Sequence, residues 1–219
     1  MKKARLILDV LMGMTLPCLM AYELIGQKTH EIIGLCASGL FILHHVFNRR
    51  WHSHLFRGKY TAYRAAMTTL DVLMTVIFIS QAVCGVLMAK HVLPFLPHVG
   101  RRSIARVFHL LGAYWGFTLS CLHGGMHLTG ILREWKRWRT SSKAVWGVVV
   151  CSAAVYGGVA LIRRSWLKYM TLREQFVFFD FDEPLVIFFA DTLAILILFT
   201  LVGCIVGYGL QRIGRRKPE

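Results

Sequence analysis

The stretch "HEIIGLCASGLFILHH", residues 30–45, reads almost as a membrane-core sequence, yet it begins with one histidine and ends with two. A second stretch, "HLLGAYWGFTLSCLH" at residues 109–123, has the same arrangement. In each, a histidine is followed by another fourteen residues later: His30 by His44, and His109 by His123. Histidine is uncommon inside a bilayer and usually marks a functional site there. These four histidines are therefore the first candidates for a site.

The chain as a whole is apolar enough for a helical membrane protein. Of its 219 residues 56% are hydrophobic, and the mean hydropathy is +0.53. A helix of about 20 apolar residues crosses a hydrocarbon core of about 30 Å. Six such runs occur, at about 6–26, 30–48, 67–89, 105–130, 144–162 and 184–209. We therefore predict an all-α integral membrane bundle of six transmembrane helices.

The net charge of +15 is distributed as membrane topology requires. If the N-terminus is cytoplasmic, 17 of the 26 lysines and arginines lie in cytoplasmic segments, with only two acids, Glu134 and Glu219. This positive-inside pattern predicts a multi-pass protein surrounded by lipid, with both termini in the cytoplasm. The basic charge is thereby explained without nucleic acid as a partner.

A repeat divides the first part of the chain into two similar hairpins. The sequence "LDVLM" occurs at residues 8–12 and again at 70–74, and each copy precedes one of the two spans with paired histidines. Repetition in a fixed order indicates duplication of a structural unit. We predict a four-helix core at 1–130, made of hairpins 6–48 and 67–130. An added helix pair at 131–219 includes an extracytoplasmic aromatic segment, 163–183.

On a helix, fourteen residues return to nearly the same face, about 40° short of eclipse and about 21 Å along the axis. The second and fourth spans run in the same direction, so His30 is expected level with His109 near the outer surface. His44 is likewise expected level with His123, nearer the cytoplasm. Facing imidazoles in a four-helix bundle are what a bis-histidine haem requires. The glycines near this stripe would let a macrocycle or a helix approach closely: Gly34, Gly39, Gly112 and Gly116.

Other interpretations of these residues stay open. The histidines could be hydrogen-bonded packing residues, and zinc or copper is a weaker competitor because no carboxylates or thiolates cluster with them. His45 could replace His44 as a ligand, and His127 could replace His123. The preferred residues are His44 and His123 because they keep the spacing of fourteen. Three aspartates in or near the spans are either proton carriers or polar anchors: Asp9, Asp71 and Asp191.

Three stretches carry a resemblance to a known family. They are "HEIIG…LHHVFNRRW" at 30–51, "RVFHLLG…LHGGMH" at 106–127 and "FVFFDFDEP…FFADTLAI" at 176–195. They resemble the flavinylation-associated cytochromes, a family of membrane b-type cytochromes, and the paired histidines are similar to those of the di-haem core of respiratory cytochrome b. The resemblance implies a bacterial inner (plasma) membrane and two non-covalent b-type haems. It also implies four iron ligands: His30, His44, His109 and His123.

The predicted function is that of a di-haem electron-transfer subunit. The resemblance implies that electrons pass across the membrane to an extracytoplasmic flavin-bearing or metal-reducing redox protein, and a quinol is one expected donor. No CxxCH motif for covalent haem and no flavin, NAD or iron–sulfur motif occurs, so a complete oxidoreductase needs a partner. The rival functions are a transporter or haem-handling permease that uses the histidines, and a haem-free anchor of a redox complex.

The aromatic segment 163–183 has two interpretations. It contains Trp166, Phe176, Phe178 and the acidic turn "FDFDEP" at 179–184. Because His30 and His109 are expected near the outer surface, this segment is either the docking surface of the electron acceptor or a plain connection between two helices.

Overall fold

The computed structural model describes residues 2–93, 95, 102–130 and 140–213. Throughout these residues the regular structure is helical and contains no strand, which confirms the all-α prediction. The helices are α1 Lys2–Met20, α2 Tyr22–Ile25, α3 Gln27–Phe47, α4 Arg49–His54, α5 Ala62–Met88, α6 Arg102–His127, α7 Thr140–Arg163, α8 Trp166–Met170 and α9 Leu185–Ile213.

Four of the described helices are long and apolar enough to cross a membrane. They are α3, α5, α7 over Ala144–Arg163, and α9. They coincide with the second, third, fifth and sixth predicted spans. The first and fourth predicted spans also form helices, α1 and α6. Basic residues near their N-terminal ends, such as Arg5 in α1 and Arg106 in α6, shorten the apolar part of each.

The first predicted hairpin is formed by α1 and α3, which pack along each other. α1 continues through Pro17 and ends at Met20. The short helix α2 follows, and Gly26 then joins it to α3 with a φ of 82°, a backbone conformation that glycine adopts most readily.

The chain folds into two compact units. Unit 1 comprises Met1–Gly58, Thr75–Gly116 and Lys168–Phe188. Unit 2 comprises Lys59–Met74, Phe117–Leu167 and Phe189–Glu219. Both α5 and α6 contribute residues to each unit, so the units are not successive stretches of sequence. The predicted division at residue 130 follows the repeat and remains a prediction.

In unit 2, glycines allow the backbones of neighbouring helices to meet. A Cβ at Gly203 of α9 would overlap the carbonyl of Leu122 in α6. A Cβ at Gly125 of α6 would in turn overlap the carbonyl of Thr200 in α9. Small residues with this role are typical of helix contacts in membranes, where tight packing replaces the hydrophobic driving force.

We expect Gly203→Val to destabilise unit 2, because the added methyl groups would push α9 away from α6. Overpacking of this kind costs about 1–3 kcal/mol. Thermal unfolding in detergent should show the loss. Gly209→Val is the matched control on the same helix, since no described atom outside the glycine's own stretch of helix lies within 4 Å of a Cβ there. Equal unfolding temperatures for the two variants would contradict the close α6–α9 contact.

Unit 2 also contains a buried charge cluster that joins the end of α7 to α9. The carboxylate of Asp191 has no exposed surface. Arg163 and Arg164 both form ion pairs with it, the latter at 2.7 Å. The hydroxyl of Tyr156 donates to it as well, also at 2.7 Å. These contacts support the anchor interpretation of Asp191, because two cations and a hydroxyl satisfy its carboxylate.

Candidate functional site

The structure brings His30 and His109 together within unit 1. His30 lies in the first turn of α3, and His109 lies in the second turn of α6. Their ring centres are 6.0 Å apart, and their planes are inclined at 76°. The sequence repeat predicted these two histidines at the same depth, and their contact agrees with that placement.

The separation of the two rings suits one metal bound between them. A metal–imidazole bond is about 2.0–2.1 Å long. Two imidazoles that held one metal would therefore have ring centres several ångströms apart, and the observed 6.0 Å leaves room for such a metal. Direct edge-to-face contact of aromatic rings covers the same range, so the distance fits haem ligation without requiring it.

The Nδ1 atoms of these two rings are buried, and neither completes a hydrogen bond of standard geometry with a described residue. The backbone of Leu19 lies beside His30, and that of Gln81 lies beside His109. Buried polar atoms without a partner are uncommon in folded proteins and mark places where a bound group could satisfy them. The two histidines therefore fit a haem that they would hold between them.

The four glycines of the predicted stripe fall into two groups. A Cβ at Gly112 would overlap the side-chain amide of Gln81, and one at Gly116 would lie 3.2 Å from Ile77. These glycines of α6 therefore lie close to α5, which agrees with the expectation that a neighbouring helix approaches them. Outside their own stretch of helix, Gly34 and Gly39 of α3 have no described atom within 4 Å of a Cβ.

His44, the second histidine of the first hairpin, contacts two polar side chains in unit 1. Its Nδ1 lies 2.9 Å from Oδ1 of Asp9, and its Nε2 lies 3.3 Å from the side-chain amide of Asn48. The carboxylate can only accept, so Nδ1 donates to it, and the lone pair of Nε2 accepts from the amide of Asn48. That is the tautomer a ligand bound at Nε2 requires.

His123, the second histidine of the second hairpin, has the equivalent neighbour in unit 2. Its Nδ1 lies 2.9 Å from Oδ1 of Asp71, although the two groups are not aligned for a standard hydrogen bond. His127 stacks edge-to-face on His123, with ring centres 4.6 Å apart. His44 and His123 belong to different units, so their pairing around one haem remains a prediction.

The remaining described histidines lie mostly at the end of the first hairpin. Nδ1 of His45 is 3.2 Å from Nε2 of His52, and Nδ1 of His54 is 2.8 Å from the carbonyl of Arg50. His98 lies outside the described residues. Within the described ranges, no group of three or more His, Cys, Asp or Glu could hold a metal ion. A haem iron needs only two protein ligands, because the macrocycle supplies the others.

Glu31, the residue after His30, holds the loop that follows α5. The sequence did not predict this contact. The carboxylate of Glu31 accepts hydrogen bonds from the backbone N–H groups of Lys90, His91 and Val92, each at 2.9 Å. The loop after α5 is thereby fixed to the first turn of α3. The sequence does contain an indication of this role, because Glu31 is a lone acid at the edge of an apolar span and follows a candidate ligand.

The structure separates the aromatic residues of segment 163–183 into buried and exposed ones. Trp166 is only 2% exposed, and its Nε1 donates to the hydroxyl of Thr118 at 3.2 Å within unit 2. The expectation that Trp166 forms part of a docking surface is therefore wrong, because its ring is already packed. Phe176 and Phe178 remain 62% and 84% exposed.

In unit 1, the segment reaches the helix that carries His109. The guanidinium of Arg106 lies 5.8 Å from the ring centre of Phe176, one helical turn before His109. Tyr169 stacks on Tyr114 of the same helix, with ring centres 4.8 Å apart. The exposed aromatic residues are therefore attached to the part of α6 next to the His30–His109 pair.

Comparison of the chain with family models, with curated proteins and with solved structures gives no match.

Proposed function

We propose that this chain is a membrane di-haem b-type cytochrome that passes electrons from a membrane donor, such as a quinol, to an extracytoplasmic redox protein. The observation that supports it most is the contact of His30 with His109. Two histidines from different helices, far apart in sequence, meet at a separation suited to one bound metal. The acceptor class, a flavin-bearing or metal-reducing protein, rests on the family resemblance.

The ligands in this proposal are four histidines in two pairs. His30 and His109 hold an outer haem, and His44 and His123 hold an inner one. When bound, each haem supplies an iron that takes up and releases one electron. The chain itself holds the ligands on rigid helices and surrounds the site with apolar side chains, which sets how readily the iron is reduced.

The proposed topology uses six membrane-spanning helices, with α1 and α6 joining the four that are apolar enough on their own. Their polar residues can be tolerated because charged and polar groups in membrane helices face the bundle interior. The proposed membrane is the bacterial inner membrane, which the family resemblance implies, and the proposed cytoplasmic position of both termini rests on the distribution of basic residues. The outer histidine pair then lies at the extracytoplasmic side.

The acceptor is proposed to dock on the exposed part of segment 163–183. Its aromatic residues are attached to α6 near His109, and the turn beside them carries Asp180, Asp182 and Glu183. An acidic surface with exposed aromatic rings suits a partner with basic residues around its own redox centre.

We expect the triple variant Asp180→Asn, Asp182→Asn, Glu183→Gln to slow electron transfer to a basic soluble c-type cytochrome about tenfold at low salt. The reason is that charges at the rim of an interface mainly govern the rate of association. Stopped-flow oxidation of the reduced protein measures this rate. Glu23→Gln, an exposed acid elsewhere, is the control. An unchanged rate with intact haem would remove the docking role and leave the segment structural.

The visible spectrum of the purified protein, oxidised and then reduced, tests the proposed function. A di-haem cytochrome gives an intense Soret band that shifts on reduction and a sharp α band. A permease that binds haem as cargo would show haem in a ratio that varies with supply. A membrane anchor would show none, and that result would overturn the proposal.

A further inference from the structure

The repeat places the same acid–histidine contact in both hairpins. "LDVLM" supplies Asp9 to α1 and Asp71 to α5 at the same position of the motif. Oδ1 of Asp9 lies 2.9 Å from Nδ1 of His44, and Oδ1 of Asp71 lies 2.9 Å from Nδ1 of His123. The same pair of atoms meets in each hairpin, as a hydrogen bond at His44 and as a close contact without hydrogen-bond alignment at His123. The contact is therefore a property of the repeated unit.

The two contacts explain why polar residues occur at these positions in otherwise apolar helices. A carboxylate in a membrane helix is costly unless a partner satisfies it. The side chains of Asp71 and His123 are 17% and 21% exposed, so this pair is largely buried. Those of Asp9 and His44 are more open, at 51% and 30%. In both hairpins the acid faces one of the histidines that the spacing of fourteen selects.

The ring nitrogen that the carboxylate contacts determines which of the two nitrogens of the imidazole can bind a metal. A carboxylate accepts the proton of Nδ1, which leaves the lone pair on Nε2. At His44 the amide of Asn48 faces that lone pair at 3.3 Å, which is consistent with Nε2 acting as acceptor. A histidine whose Nδ1–H is held by a carboxylate is fixed in orientation, and its Nε2 is a more basic ligand.

We propose that Asp9 and Asp71 are positioning residues that hold His44 and His123 as Nδ1–H tautomers and make each the stronger donor to a haem iron. This inference rests on the proposed function, since it concerns the inner haem. A more basic ligand stabilises oxidised iron, so the two carboxylates keep the reduction potential of the inner haem low. The rings of His30 and His109 lie beside the backbone of Leu19 and of Gln81, whereas those of His44 and His123 each lie 2.9 Å from a carboxylate. The two haems are thereby given different potentials.

The test is a potentiometric titration of Asp9→Asn and Asp71→Asn, followed by the visible spectrum in the purified full-length protein. Asparagine keeps the shape and an acceptor oxygen but removes the charge. In both variants we expect the same one of two haem components to become easier to reduce. The expected shift is about tenfold in the ratio of reduced to oxidised haem at fixed potential, or about 59 mV for one electron. The other component should not move.

Two further variants separate a specific role from a general one. Asp71→Glu restores the charge and should return the potential towards the original value. Lys59→Gln removes an exposed charge and should leave both potentials unchanged. If Asp71→Asn does not fold, Asp9→Asn carries the test, because the more open Asp9 side chain tolerates an isosteric change.

The outcomes distinguish this inference from the proposed function. Two haem components with a shift in one of them support both. Two components with unchanged potentials in Asp9→Asn and Asp71→Asn would overturn the positioning role and leave the cytochrome proposal in place. An unsubstituted protein that contains no haem would overturn the proposed function, and this inference with it.

Discussion

His109→Ala is expected to remove one of the two haems and so to halve the haem content of the protein. The reason is that His109 and His30 would hold the same haem iron, and one histidine alone would hold it more weakly. His30→Ala should remove the same component. The measurement is the reduced-minus-oxidised spectrum, resolved into its two components by potentiometric titration.

His91→Ala is the matched control for these two variants. His91 lies on the loop that Glu31 fixes beside His30, and its own backbone N–H makes that contact, so its side chain can be removed without losing the loop anchor. The control should retain both components. If His30→Ala and His44→Ala abolished the same component, the pairing of histidines by depth would be wrong.

Asp191→Ala should be the most destabilising single substitution considered for unit 2. It leaves two guanidinium groups and a tyrosine hydroxyl without their shared acceptor, and breaking a buried ion pair costs about 3–5 kcal/mol. Arg163 and Arg164 are 45% and 20% exposed, so partial access to solvent favours the lower end, about 3 kcal/mol. For a chain of this size the unfolding temperature should fall by about 10 °C.

A series of three variants shows whether the charge cluster around Asp191 is responsible for this loss of stability. Tyr156→Phe removes the hydrogen bond that the hydroxyl donates to Asp191 and the one that it accepts from Arg163, and should cost about 1–2 kcal/mol. Asp182→Ala, in the exposed turn, should cost almost nothing. Thermal unfolding in one detergent allows direct comparison of the three variants. If Asp191→Ala unfolded at the same temperature as Asp182→Ala, the cluster would contribute little to stability.

Periodicity and hydrophobic length predicted the helices well, because a membrane helix must satisfy its own backbone and must be apolar over a fixed length. α3, α5, α7 and α9 follow from that rule alone. The break at Ala21 between α1 and α2 and the turn at Gly26 between α2 and α3 could not be read in this way, since both depend on local backbone geometry. The pairing of Gly203 with Leu122 also depends on which helices become neighbours, and hydropathy does not specify neighbours.

The candidate site was partly predictable for a similar reason. The equal spacing in the two hairpins placed His30 and His109 at one depth, and the structure brings their rings together. Which side chains face each histidine depends on how its helix is rotated about its own axis. The spacing of residues in the sequence does not determine that rotation. Asp9 was therefore identified only as an anchor or a proton carrier, although it faces His44. Trp166 was assigned to the surface because its burial requires α6 as a neighbour.

The stoichiometry of non-covalent haem tests the central claim most directly. The pyridine haemochrome of the purified protein, divided by protein concentration from amino-acid analysis, should give two haems per chain. Acid–acetone should extract all of it, because no CxxCH motif is present for covalent attachment. A ratio near one would leave only one histidine pair as a haem site. A ratio of zero in protein purified from cells supplied with haem would contradict the account.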